Sequence, residues 1–144
     1  MTSEVKYPLI VAAVYLWIGF VCAISFMEAW LKFRAPGVDL RIGLGIGRLV
    51  FNALNKVEWV FAIVIILNLV LERTEFLSLP HLFFYLPVIL IFVQTFWLLP
   101  ALDKRAELHI LGQYVAASNL HVYYVIMEAV KVISLVIFSI KLFK

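Results

Sequence analysis

Charge is scarce in this chain: charged side chains make up 15% of its 144 residues, against 65% hydrophobic, and the mean hydropathy is +1.06. A soluble domain is about a quarter charged, so this composition cannot build a water-exposed surface, and lipid is the solvent that fits it. Cysteine is nearly absent. Cys22 stands alone in an apolar run, which excludes a disulfide framework and a Cys-x-x-Cys redox pair and leaves it as a small packing residue. No long basic run accompanies the formal charge of +3, so nucleic acid is excluded as a partner.

Enzyme motifs are missing as well. There is no Gly-x-Ser-x-Gly, His-Glu-x-x-His or phosphate loop, and Ser25, Ser134 and Ser139 have no base nearby in sequence. Gly43, Gly45 and Gly47 lack the third glycine of a dinucleotide loop, and no strand precedes them. Gly43 and Gly47 read instead as a small-xxx-small face for close helix approach.

What is present is a series of apolar runs. At 144 residues there is room for about four crossings of roughly 20 residues each and none for a soluble domain, so residues 1–144 form a single all-α integral membrane domain. The expected spans cover about 8–33, 50–71, 80–102 and 119–142. Pro8 through Met27 is uncharged over twenty residues, with no small-x-small cleavage site before Glu28, so this segment is expected to stay in the mature protein. Ala35-Pro36-Gly37 ends the first span. Val38 to Lys56 mixes Asp39, Arg41, Arg48 and Lys56 with aliphatic residues, as an interfacial segment bending into span two would.

Between Trp59 and Leu71 only thirteen residues are uncharged, too few to cross, so Glu58 and Asn55 must enter the membrane. Glu72, Arg73, Thr74 and Glu75 mark a turn, Pro87 a kink in span three, and Pro100 its exit. Leu108 to Ser118 suggests a second interfacial helix.

The polar intramembrane residues gather at one level: Glu28 in span one, Asn52, Asn55 and Glu58 in span two, Gln94 in span three, and Asn119, His121, Tyr124 and Glu128 in span four. His121, Tyr124, Glu128, Lys131 and Leu135 recur at helical spacing and share a face, opposite Val122, Ile126, Ala129, Val130 and Ile133, which suit lipid. An ionisable group at the bilayer centre costs about 3 kcal/mol or more unless paired or wet, so the polar faces should meet in the interior.

Two readings of the set stand side by side. Polar residues glue membrane helices together, and Glu128 and Lys131 could simply neutralise each other. Against this, three carboxylates and a histidine exceed what one lysine can neutralise, and intramembrane acids mark cation or proton paths. A binding site would then comprise Glu58, His121, Glu128, Lys131, Tyr124 and Asn55, with Glu28 at its mouth. A metal ion would have to draw on Glu58, His121 and Glu128 from separate spans, because His121 and Glu128 are two turns, about 10 Å, apart. Haem or quinone held by His121 is a third reading; Trp17, Trp30, Trp59 and Trp97 serve as interface anchors and packing.

Phe26 through Phe33 followed by Ala-Pro-Gly, Gly43, Gly47 and Val50-Phe51, Phe96-Trp97-Leu98-Leu99-Pro100 running to Arg105, and Asn119-Leu120-His121 together resemble the four-helix transmembrane-protein-205-like family. The resemblance implies a four-span membrane protein with links to efflux or drug tolerance, and carries over only Pro100 and His121 as motif positions. The functional expectation is a small transport or binding protein handling a cation or proton, possible as a homo-oligomer; the alternative is an accessory subunit of a larger membrane complex.

Seven basic residues flank the first and third connections (Lys32, Arg34, Arg41, Arg48, Lys56, Lys104, Arg105), against four at the termini and second connection (Lys6, Arg73, Lys141, Lys144). By the positive-inside rule the protein sits in an inner or plasma membrane with both termini outside the cytoplasm. Single-cysteine labelling in intact cells should therefore reach both ends of the chain from outside, and protection of both ends would reverse this orientation.

Overall fold

The computed structural model describes residues 5, 7–72 and 79–143. Every regular element among them is helical. Three helices are long and apolar enough to cross a membrane: α1, Pro8–Arg34; α2, Leu40–Leu71; and α3, His81–Ile110. The fourth long helix, α4, spans Leu120–Leu142 and carries Glu128 and Lys131 near its middle. The chain is thus an all-helical protein of membrane type, with α1 packed on α2 and α4, and α3 packed on the same two. Arg73, Thr74 and Glu75 of the expected second turn, and the terminal Lys6 and Lys144, lie outside the described residues.

Local chemistry sets the helix ends. Pro8 occupies the first turn of α1, where a missing amide proton costs nothing. At the other end Ala35 turns extended ahead of Pro36, and Gly37 takes φ +82°. Asp39 caps α2, its Oδ1 accepting from the Ile42 amide at 2.9 Å. At the end of α3 the amides of Gly112 and Gln113 bond the carbonyls of His109 and Leu108, with Gly112 at φ +74°. That is a Schellman cap, and glycine is the residue that enters it without strain.

Two expected interfacial elements differ from the structure. Residues 38–56 do not form a separate bent segment: α2 is one continuous helix of 32 residues from Leu40, about 48 Å long at 1.5 Å per residue. No proline or polar insertion interrupts its ladder, so it extends beyond a hydrocarbon core of about 30 Å instead of bending. The helix expected over 108–118 is also absent, because the Gly112 cap ends α3 at Ile110 and residues 113–118 are non-helical.

Both α1 and α3 contain a π-turn, over Cys22–Glu28 and Gln94–Leu98. The amide of Ala29 reaches back five residues to Ile24, and that of Leu99 five back to Gln94. In α3 the cause is local: Pro100 has no amide proton to offer Phe96, so the ladder slips by one residue.

Pro87 creates a similar vacancy one helical stretch earlier. It cannot donate to the carbonyl of Phe83, and the buried hydroxyl of Ser134 on α4 donates to that carbonyl instead. An unsatisfied backbone group away from water costs several kcal/mol in lipid, so this bond ties α4 to the kink of α3.

Apolar packing falls into two clusters. One, at the end holding the chain termini, gathers Ile10, Val14, Trp17, Ile65, Leu69, Phe84 and Phe138. The other, toward the first and third connections, is smaller and built on Leu98, Leu99 and Tyr124. The outer surfaces are aliphatic and aromatic, with Val122, Ile126, Val130 and Ile133 of α4 exposed as the lipid-facing pattern requires.

Replacing Ser134 by Ala should cost about 1–3 kcal/mol by stranding the Phe83 carbonyl. In a Pro87→Ala background, where an amide proton returns, the same substitution should cost almost nothing. Detergent melting curves of the four proteins in this cycle test the coupling, and additive effects would rule it out.

Candidate functional site

Between the two apolar clusters lies a polar centre drawn from all four long helices. Lys131 of α4 is at its middle, completely buried. Its ammonium donates to Glu58 Oε2 of α2 at 2.6 Å, to Gln94 Oε1 of α3 at 2.6 Å and to Glu128 Oε1 of its own helix at 2.7 Å. A lysine has three donors, and each has an acceptor.

The carboxylates are held from behind. Glu58 Oε2 also accepts from the Trp17 indole N–H at 2.8 Å. Glu128 Oε1 accepts from Gln94 Nε2 at 2.7 Å, and its Oε2 from the Ser25 hydroxyl at 2.6 Å. Glu58, Gln94 and Glu128 are each 1% exposed or less.

The π-turns explain why Ser25 and Gln94 arrive here. Wider i→i+5 turns advance each residue less around the axis, so Ser25 comes round toward the face that carries Trp17 and Val21. Gln94 opens the second π-turn, with its own carbonyl engaged by Leu99. Both turns thus present a hydrogen-bonding side chain to the same carboxylate, one to each oxygen.

The other expected site residues are placed around this centre. Tyr124 is buried one turn from Glu128, its ring edge-on to Phe51 at 5.2 Å. Asn55, one turn before Glu58, belongs to a second small cluster in which Trp59 Nε1 donates to Thr95 Oγ1 at 2.9 Å, and Thr95 Oγ1 lies 3.1 Å from Asn55 Oδ1. Asn55 Nδ2 is buried with no hydrogen-bond partner. His121 is exposed, and Glu28 lies near the end of α1 with Lys32 Nζ 3.6 Å away. The structure therefore brings Glu58, Glu128 and Lys131 into contact and leaves His121, Asn55 and Glu28 apart from them.

Among the described residues no three His, Cys, Asp or Glu side chains lie close enough to share a metal ion. The position between Glu58 and Glu128 is taken by a covalently attached cation, the Lys131 ammonium.

No family model, curated protein or solved structure matches this chain. The site has to be understood from its own geometry. With all three ionisable groups charged, the cluster sums to −1, since two carboxylates face one ammonium. A cavity of about 550 Å³, lined by Ser25, His121, Tyr124 and Glu128, opens toward the end with the first and third connections and reaches the cluster. At the other end Trp17, Ile65 and Phe138 are packed in the larger apolar cluster.

Three members of the network escaped the sequence reading. Gln94 was recognised by depth but not joined to the acids. Trp17 is expected as an interface anchor or packing residue, although its place in the middle of α1 is a signal: an indole N–H at that depth needs an internal acceptor. Ser25 carried no signal, because its facing depends on the π-turn.

Replacing Lys131 by Met leaves two buried carboxylates facing one another and should destabilise the protein by about 3–5 kcal/mol, the usual penalty for breaking a buried pair. Neutralising all three groups together, Glu58→Gln, Glu128→Gln and Lys131→Met, should restore most of that loss. Thermal unfolding in detergent measures both, and a Lys131→Met protein as stable as the parent would contradict the network's energetics.

Proposed function

We propose that this is a four-span membrane protein that binds and relays a proton, or a small cation, through the buried carboxylates from the side of the first and third connections. One observation carries the reading: an acid-rich cluster, short of one positive charge, is buried among the helices yet touched by a cavity at Glu128. A net charge in a low-dielectric interior is costly, so the missing counter-charge is supplied by a proton or ion that enters and leaves.

In this reading Glu128 receives the proton. Its Oε2 faces Ser25 at the cavity, and Tyr124 and His121 line the route outward. Lys131 keeps the second carboxylate, Glu58, anchored while Glu128 changes state, and Trp17 fixes the orientation of Glu58. Gln94, which donates to Glu128 and accepts from Lys131, links the two halves. The positive-inside count is the support for a cytoplasmic open side.

A second reading is favoured by the completeness of the bonding around Lys131. A buried polar cluster with every donor met can serve only to lock helix register, as an accessory subunit of a larger complex would use it. A stoichiometric partner retained through purification in mild detergent supports that alternative.

Proteoliposomes loaded with a pH-sensitive dye separate the two. Under an imposed pH gradient with potassium and valinomycin, the parent protein should acidify the lumen faster than empty liposomes. Glu128→Gln, which leaves Lys131 paired to Glu58, should reduce the rate to the empty-liposome level while keeping its melting temperature near that of the parent. Equal flux in the folded Glu128→Gln protein, or no flux above background from the parent, would sink the relay.

A further inference from the structure

We infer that the open end of the molecule holds a binding site for the head group of an amphiphilic anion, a carboxylate or phosphate attached to an apolar body. The site is a cavity of about 270 Å³ between the end of α1, the first half of α2 and the second half of α3. Its Lys32 wall is distinct from the Lys131 network, although the space adjoins the cavity that reaches Glu128.

Lys32 carries the argument. Its side chain is only 9% exposed, yet the nearest carboxylate oxygen, Glu28 Oε2, is 3.6 Å from Nζ, too far for a hydrogen bond. Glu28 Oε2 is itself buried with no hydrogen-bond partner. The ammonium lies 5.6 Å from the ring centroids of both Phe33 and Phe51, which attract it but accept no conventional hydrogen bond. Lys131 shows the contrast within one chain, with all three donors satisfied at 2.6–2.7 Å. The stem of Lys32 is thus buried while its ammonium faces the cavity with no oxygen at hydrogen-bond distance, and an oxygen of a ligand head group supplies the acceptor.

The surroundings select an anion with an apolar body. Asp103 lines the cavity, but Arg48 grips both of its oxygens, at 2.7 and 3.0 Å, so its charge is compensated. Arg105, His109 and His121 line the same space, and a cationic ligand would face these together with Lys32. The walls next to Lys32 are Phe33, Phe51 and Leu99, which suit a hydrocarbon chain. Gly47 keeps room at the ammonium, since a Cβ there would stand 3.2 Å from Nζ. Phe33, Phe51, His121 and Tyr124 also line the larger cavity that reaches Glu128, so the two spaces adjoin and the apolar body has somewhere to extend.

The test is direct binding of octyl phosphate to the full chain in phosphatidylcholine nanodiscs, followed by calorimetry with partition into empty discs subtracted. The parent should bind saturably, one per chain. Lys32→Gln should weaken binding roughly tenfold or more, the effect of losing a charge-assisted contact. Gly47→Leu, which retains the lysine but fills the space beside it, should weaken it as well, and melting curves establish that both variants fold.

Competition identifies the source of the anion. Displacement by phosphatidylglycerol in the disc assigns the site to a membrane lipid head group, whereas displacement by inorganic phosphate alone assigns it to a soluble phosphate. Octyl phosphate that neither competitor displaces points to a soluble amphiphile. Absence of saturable binding to the parent, unchanged affinity in folded Lys32→Gln, or equal binding of octyltrimethylammonium overturns the proposal. Because none of these readouts involves proton flux, the site can fail while the relay stands, and the reverse.

Discussion

A single ammonium group organises this protein. Lys131 has nowhere to go in hydrocarbon, so each of its donors must find an acceptor inside the fold, and the three it finds belong to α2, α3 and α4. Through Trp17 and Ser25 the same network reaches α1. Apolar packing between helices is weakly directional in a membrane, because lipid tails are as apolar as leucine. Hydrogen bonds at fixed distances are directional, and they set the height and rotation at which the helices meet.

Departures from regular helix geometry serve this centre. The slip of the ladder ahead of Pro100 and the matching π-turn in α1 deliver Gln94 and Ser25 to opposite oxygens of Glu128. Pro87 opens a carbonyl that Ser134 closes from the neighbouring helix, so a defect in one helix becomes a contact between two. A buried ion pair costs about as much in desolvation as it returns in attraction. The three charged groups sum to −1 and are reached by a cavity at Glu128.

The two ends of the molecule differ for the same physical reason that the middle is polar. Among the described residues, aromatic and aliphatic side chains pack together at the end with the chain termini. At the opposite end Gly43 and Gly47 let α1 approach α2, but the side chains that meet around them are Lys32, Phe33 and Phe51, which cannot close on one another without stranding the ammonium. A cavity with a cationic wall is the outcome.

Much of this was legible in the residues themselves. Low charge and high hydropathy determine an all-helical membrane chain, because only helices satisfy their own backbone in lipid without closing a barrel. Of the residues expected at three-and-four spacing on one face of α4, Tyr124, Glu128, Lys131 and Leu135 are buried, since helical period decides which side chains share a side, while His121 at its start is exposed. The extent of α2 and the end of α3 differ from the expectation, because mixed polarity does not break a ladder that simply continues, and a glycine cap stops α3 where apolar residues would allow more. Which residues meet the acids is a different matter. The partnership of Glu58 with Trp17, of Glu128 with Ser25 and Gln94, and the isolation of His121 and Lys32 from those partners were decided only by tertiary structure. They depend on the rotation of each helix about its own axis, which a single π-turn resets and which no one-dimensional spacing records.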